Sequence, residues 1–245
     1  MKYFLAVSVL ISACFSVQAQ EKMKPEDTEV WTPVPKTVTV DGEKMIPSDA
    51  IVLFDGSSLD AWISSKDKKS AAPWTIEDGF FTVKPGSGGI ETEQQFEDYQ
   101  LHVEWRSPLV IKGEGQGRGN SGIFMQGLYE VQVLDTYNNK TYVNGQAASI
   151  YKQHIPLVSA VKEPGEWHSY DIIWTAPRFN EDGSVKEKAR VTVLHNGVLV
   201  QNNVEVKGTT EYIGMPKYEA HGAGPIALQD HGDLVSFRNI WIRPL

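Results

Sequence analysis

The sequence predicts an all-β protein, an antiparallel two-sheet jelly-roll sandwich with a concave groove. Three observations carry that expectation. Tyr99, Leu101, Val103 and Trp105 alternate strictly with Gln100, His102, Glu104 and Arg106, the period of a strand with one face on a core and the other wet. Asp78-Gly79 and Asn196-Gly197 each interrupt a pair of alternating runs, the strongest short signal of a tight hairpin. No stretch shows the 3.6-residue apolar period of an amphipathic helix, which argues against an α/β fold. A propeller is disfavoured because no internal repeat of blade length is found. Sheets packed face to face bury one face each, and the free face of a curved sheet then forms a groove.

The chain divides into residues 1–19, 20–47 and 48–245. Met1-Lys2, an apolar run to Ile11, and Val17-Gln18-Ala19 at the spacing a signal peptidase reads predict a signal peptide cleaved near Ala19 and a periplasmic or secreted protein. The minor alternative is a lipoprotein held through Cys14, because Ile11-Ser12-Ala13-Cys14 resembles a lipobox. Cys14 is the only cysteine, so cleavage at Ala19 excludes disulfides, thiolate metal sites and a cysteine nucleophile from the mature chain. The apolar run is too short for a spanning helix, and no later stretch replaces it. Residues 20–47 are charged and hold Pro25, Pro33, Pro35 and Pro47, which reads as an extended lead-in with one edge strand at 36–40.

From residue 48 onward the strands are expected at 51–54, at 74–83 as a hairpin, at 90–92 and at 99–106. Further strands follow at 119–125, 129–135, 149–151 and 166–174. A second hairpin at 189–200 and runs at 225–229 and 234–242 close the chain. With 41% hydrophobic and 22% charged residues, 245 residues suit one domain with a sizeable core. A net charge of −8 argues against nucleic acid or an anionic membrane as partner.

Outward-facing polar residues supply the candidate site. In the run from Tyr129 to Asp135, Tyr129, Val131 and Val133 face one way and Glu130 and Gln132 the other. Glu104, Arg106, Glu130 and Gln132 are expected to line one side of a single sheet, against the plainer reading of solvated strand faces. His231 lies two residues after Gln229 and shares its face if a strand continues that far; otherwise it is a turn histidine. Were His231 to meet Glu104 and Glu130, the three could hold a divalent metal as Lewis acid, although no His-x-x-x-His motif supports one. No other cofactor is indicated. His102 shares the face of Glu104 and is a weaker candidate.

Trp62, Tyr151 and Trp167 could stack on the rings of a ligand, though aromatics in a sandwich are more often core. Asn120 is placed to hydrogen-bond a hydroxyl at the groove edge. Gly113-Glu-Gly-Gln-Gly-Arg-Gly119 lacks the Gly-Lys-Ser/Thr ending of a phosphate loop and runs into a strand, so it is read as a lid over the groove. Asn139-Lys-Thr141 fits a glycosylation sequon, a pattern common by chance.

Several motifs in order resemble the 3-keto-disaccharide hydrolase domain family. They are Leu53-Phe-Asp-Gly56 with Leu59 and Trp62, Trp74-Thr-Ile-Glu-Asp-Gly79, Glu104-Trp-Arg106, Asn120-Ser-Gly-Ile-Phe124 and Tyr129-Glu-Val-Gln-Val-Leu-Asp135. Gly165-Glu-Trp167, Asn196-Gly197 and Gln229-Asp-His-Gly232 with Phe237-Arg-Asn-Ile240 complete the set, so the likeness spans residues 48–244. It implies a concanavalin A-like jelly roll, an oligosaccharide or glycoside substrate, and a 3-keto-glucoside lyase and 3-keto-glucal hydratase whose net outcome is hydrolysis.

That chemistry needs a base for the C2 proton, a donor for the enolate oxygen and an acid for the leaving group. Glu130 and Glu104 are the candidates for base and acid, and Arg106 for polarising the keto oxygen, with a salt bridge to either acid as its structural alternative. Gln132, Asp135, Asn120, Tyr151, Gln229 and Trp62 are assigned to substrate binding, and His231 to the catalytic group. Glu130, Gln132 and Asp135 are spaced like the Glu-x-Asp-x-x-Glu of jelly-roll glucanases, but the middle acid is an amide and the last an aspartate, which weakens direct displacement. Two other functions stay open: a non-catalytic carbohydrate-binding module and a conventional retaining glucanase.

Overall fold

A computed structural model describes residues 22–40, 42 and 44–245. The signal peptide and Cys14 expected within residues 1–19 lie outside the described residues. The described residues up to Thr37 form a unit of their own, and the densely packed body runs from Val38 to Leu245. In the first unit the described residues are exposed and include one 3-10 turn, Pro25–Thr28. The edge strand expected at 36–40 reduces to a single bridge between Val40 and Pro47.

Fifteen strands follow along the described chain: β1 (Ile51–Phe54), β2 (Trp62–Ser64), β3 (Thr75–Glu77), β4 (Phe80–Thr82), β5 (Ile90–Thr92), β6 (Tyr99–Arg106), β7 (Ser121–Met125) and β8 (Tyr129–Val133), then β9 (His168–Thr175), β10 (Arg178–Phe179), β11 (Val185–Glu187), β12 (Arg190–His195), β13 (Val198–Glu205), β14 (Ala227–Leu228) and β15 (Ser236–Pro244). The large sheet has the order β13-β12-β9-β6-β15-β4-β3, with β1 also pairing β15. The small sheet is β2-β5-β14-β7-β8, and β10 pairs β11 alone. All strand pairs are antiparallel. No described helix is long and apolar enough to cross a membrane.

The expected two-sheet sandwich is therefore the observed one, and its hairpins close as their sequences require. Asp78 and Gly79 take φ of 49° and 79°, and Asn196 and Gly197 take 53° and 77°, the left-handed pair that a tight hairpin matched to strand twist demands. The hairpin β10–β11 and the short β2 gave too few alternating residues to be expected from sequence. The strand expected at 149–151 is a pair of bridges through Ile150 to Val131 and His154.

Alternation sorts β6 as predicted: Tyr99, Leu101, Val103 and Trp105 are fully buried between the sheets. From the other side Ile123, Met125, Tyr129, Val131 and Val133 meet them in the same core. Tyr170 of β9 crosses this core, and its hydroxyl donates to the Gln132 carbonyl on β8 at 2.9 Å. The large sheet is thereby tied to the strand that carries the acid described below.

His168 and His195 are both buried, and their Nδ1 and Nε2 atoms share a hydrogen bond of 2.9 Å while His168 stacks on Trp105 at 4.2 Å. Desolvation pulls His168 down to about 4 and His195 down to about 3. Both lie below the ordinary value of 6.5, so the unfolded chain binds more protons than the folded one between pH 6.5 and 4. Stability is expected to fall by ~2–4 kcal/mol as pH drops across that window. Urea unfolding at pH 7 and 4.5 checks this; an unchanged midpoint would contradict it.

Candidate active site

The site is built on the outer face of the small sheet. On β8 the core takes Tyr129, Val131 and Val133, so Glu130 and Gln132 point the other way. β7 pairs with β8 in a register that sets Phe124 opposite Glu130 and Gly122 opposite Gln132. The free edge of β8 is covered by residues 148–151: Ala148 N–H donates to the Gln132 carbonyl, Gln132 N–H to Ser149, and Tyr151 N–H to the Glu130 carbonyl. Glu130 N–H donates to Thr210 Oγ1 at 2.9 Å. These bonds fix the backbone of Glu130 on both sides and deliver Tyr151 and Lys152 to its neighbourhood.

The result is a pocket of about 570 Å³. Glu130, Gln132, Tyr142, Tyr151, Lys152 and His231 are among its lining residues, with Asn120 and Gln229 at the same mouth. Glu130 is the one carboxylate of the lining and Lys152 its one lysine. The Glu130 carboxyl is buried and accepts no hydrogen bond among the described residues, and desolvation alone pushes it up to about 8. Tyr142 and Tyr151 join hydroxyls at 2.6 Å. Burial raises both phenols, the shared hydrogen bond and the Glu130 charge raise Tyr151 further, and both therefore stay protonated at neutral pH. The Tyr142 ring folds over Gly145, where a Cβ would stand 2.0 Å from it. Lys152 Nζ donates to the Tyr212 carbonyl at 2.6 Å and stands 4.5 Å from the Tyr212 ring centre.

Gln132 Nε2 donates to Gln116 Oε1 and to the Gly145 carbonyl at 3.0 and 3.3 Å, which holds its amide in one orientation. Asn120 Nδ2 donates to the Gln116 carbonyl at 2.7 Å. The glycine-rich stretch expected to act as a lid is pinned: Asn139 Oδ1 accepts Gly115 N–H, and Asn139 Nδ2 donates to the Gly115 and Asp135 carbonyls. The sequon asparagine is thus committed to holding this loop.

Six residues expected as site candidates lie elsewhere or do other work. Glu104 and Arg106 are on β6, in the large sheet, and point away from the core on the side opposite Glu130. Period-two alternation distinguishes inward from outward, but a sandwich has two outward faces. Glu104 accepts from Arg238 Nε at 2.6 Å and from Asn239 Nδ2 at 2.8 Å. A bulge in β15 between Arg238 and Trp241 gives both residues access to it. Burial would raise its carboxyl, but the His102 ring at 3.8 Å and hydrogen bonds from Asn239 and Arg238 outweigh that and hold it at about 2. A carboxylate so fixed is a structural anion, unsuited to taking a proton near neutral pH.

His102 is part of the same cluster. Desolvation opposes its charge, but Asp171 at 2.7 Å and Glu104 raise it to about 9. Arg106 stacks between the Phe80 and Trp167 rings at 4.4 and 4.7 Å, so neither Arg106 nor Trp167 meets the pocket. Trp62 is core, its indole N–H donating to the Leu53 carbonyl at 2.8 Å. Asp135 follows the end of β8 and pairs with Arg118 Nε at 2.7 Å instead of returning to the Glu130 face. Glu104 shares no site with Glu130 and His231, so the three cannot form one metal-ligand set, and no group of three His, Cys, Asp or Glu suited to a metal occurs among the described residues.

Glu130, Gln132, Asn120, Tyr151, Gln229 and His231 do converge. Sequence reasoning missed Tyr142, Lys152, Gln116, Phe124 and Tyr212. Only Phe124 carried a signal, through its alternation with Ile123 and Met125 on β7.

Comparison with known proteins agrees with this architecture. A family model described as a 3-keto-alpha-glucoside-1,2-lyase-like domain matches residues 49–243. A 3-keto-disaccharide hydrolase of Bacteroides thetaiotaomicron is 30% identical across 292 aligned positions, covering 98% of this chain and 96% of the relative. A crystal structure from Parabacteroides distasonis ATCC 8503, provisionally described as a glycosyl hydrolase, superposes with a TM-score of 0.88 at 55% identity and covers 93% of this chain and 99% of that one. A second structure from that organism, with the same description, has a TM-score of 0.59 at 20% identity over 84% of this chain and 98% of its own, and shows the shared fold alone.

Proposed function

The chain belongs to the 3-keto-alpha-glucoside-1,2-lyase-like domain family, and from that premise we propose that it is a carbohydrate hydrolase that cleaves 3-keto-glycosides, 3-keto-disaccharides among them, by elimination and hydration. The observation that carries this reading is Glu130, desolvated, without a hydrogen-bond partner among the described residues, and the one carboxylate in a pocket whose other polar groups are amides, phenols, Thr210, His231 and Lys152. A conventional glycosidase needs two carboxylates across the glycosidic bond, and this lining offers one. A binding module has no need to strand an acid away from water, where its charge is costly.

One base suffices when the sugar carries a ketone at C3. The carbonyl acidifies the C2–H bond; Glu130 takes that proton, and the electron pair passes into the carbonyl as an enolate. The Lys152 ammonium is the cation that can balance the enolate oxygen. As the enolate collapses, the C1–O bond breaks and the leaving oxygen takes a proton from the Tyr142–Tyr151 hydroxyl pair. Water then adds to the C1=C2 bond of the enone: the tyrosinate left on the Tyr142–Tyr151 pair takes a proton from the water, whose hydroxide goes to C1, and C2 recovers a proton from Glu130. Gln132, Gln229 and Asn120 orient the ring hydroxyls.

The test is release of glucose from a 3-keto-disaccharide beside the same unoxidised disaccharide. Turnover of the ketone alone is expected. Turnover of the unoxidised sugar alone would instead support a glucanase, and binding without turnover of either would support a module.

A further inference from the structure

We propose that a second cavity beside the Glu130 pocket is a subsite for an apolar, aryl-type aglycone, so that the substrates of this chain include 3-keto-glycosides with an aromatic leaving group. This rests on the elimination reading above and goes beyond it by naming what leaves.

The second cavity measures about 400 Å³, within the usual range for small-molecule sites. Its walls are Pro85, Pro108, Val110, Ile111 and Leu234. Val110, Ile111 and Leu234 are 68%, 54% and 51% exposed, so aliphatic surface stands in water that a ligand would cover. Its floor holds the Arg118 guanidinium, fixed through Nε to Asp135 and through Nη2 to the Tyr137 carbonyl at 2.9 Å. A pinned planar cation is the kind of group on which aromatic rings stack.

The two cavities share a divide one chain thick. Gln116, Gly117 and Asn120 line the Glu130 pocket, and Arg118 and Gly119 between them line the second. On the facing segment Gln229 and His231 line the first, and Gly232, Asp233 and Leu234 the second. Asn120 N–H donates to Asp233 Oδ2 at 2.9 Å and ties the two segments together. Little rises above this divide, because a Cβ at Gly117 or Gly232 would meet nothing within 4 Å. A leaving group on C1 of a sugar held at Glu130 can therefore lie across it. Lys112, Asp135 and Asp233 complete the lining, and the two carboxylates already accept from Arg118, Tyr137 N–H and Asn120 N–H. A pyranose there would bury fewer apolar atoms against the aliphatic wall than an aryl group, which also stacks on Arg118.

The test compares p-nitrophenyl and methyl 3-keto-glucosides of one anomeric configuration, using wild type, Val110→Asn and Leu234→Asn. Both positions are more than half exposed, so the fold should hold, and thermal melts verify it. The ratio of kcat/KM for the aryl over the methyl compound is expected to drop about tenfold or more in each variant, mainly through KM. Wild-type turnover of both compounds with that ratio unmoved in the variants would overturn the subsite and leave the elimination reading standing. No wild-type turnover of either compound would overturn both.

Discussion

Glu130→Gln is expected to lower turnover of a 3-keto-glycoside by about 10²–10⁴-fold, the usual worth of a general base, while making the folded protein more stable at alkaline pH. The two effects share one cause. Burial raises the Glu130 carboxyl to about 8 from an ordinary 4.5. Its contribution to stability is therefore present below pH 4.5 and lost as pH rises through 8, because the unfolded chain releases the proton earlier. Glutamine fills nearly the same volume and never ionises. The variant should gain ~2–4 kcal/mol over wild type at pH 9 and much less at pH 5. In wild type, kcat/KM should rise with pH up to about 8, as a base with that affinity for its proton requires. Thermal melts at both pH values decide the matter: a variant less stable than wild type at pH 9 would show that Glu130 is held by contacts rather than stranded.

Gly122→Ala should remove most activity without unfolding the protein. Gly122 sits on β7 beside the acid, and a Cβ there would stand 2.4 Å from Glu130 Oε1 and 2.8 Å from the Phe124 ring. The nearest obstacle is the end of a flexible side chain, so the strand has no reason to move; the carboxylate does. Displacing a reacting group by about 1 Å can cost ~100-fold in rate. The expected outcome is kcat down by roughly that factor with an unchanged circular dichroism spectrum. Retained activity would mean that the position of Glu130 is not critical, and the assignment of the base would fall with it.

The same geometry explains which parts of the site the sequence could reveal. Glu130 and Gln132 were readable because alternation along β8 is strict and its inward residues are apolar. Gln229 and His231 were readable because they lie near β14 at a two-residue spacing. Tyr142 and Lys152 were not: both belong to irregular chain, where neither period two nor 3.6 applies, and Lys152 takes a left-handed φ of 57° that no motif announces. Glu104 and Arg106 were misplaced for a different reason. Their strand was read correctly, and their side chains do leave the core, but toward Arg238, Asn239, Phe80 and Trp167 on the other layer.

By itself the sequence determined that this protein is an antiparallel sandwich, where its principal strands and two tight hairpins fall, and which side chains leave the core, because those properties depend on neighbours a few residues apart. Only the tertiary structure decided which of the two outer faces holds the Glu130 pocket, since that depends on strand order, and β6 and β8 were sorted into different sheets by pairings with distant partners. It also decided that Glu104 is an ion-paired anion and Glu130 a desolvated acid. Two glutamates on equally regular strands differ in this way because one meets an arginine and an asparagine across a bulge, and the other meets a glycine, a phenyl ring and, among the described residues, no donor.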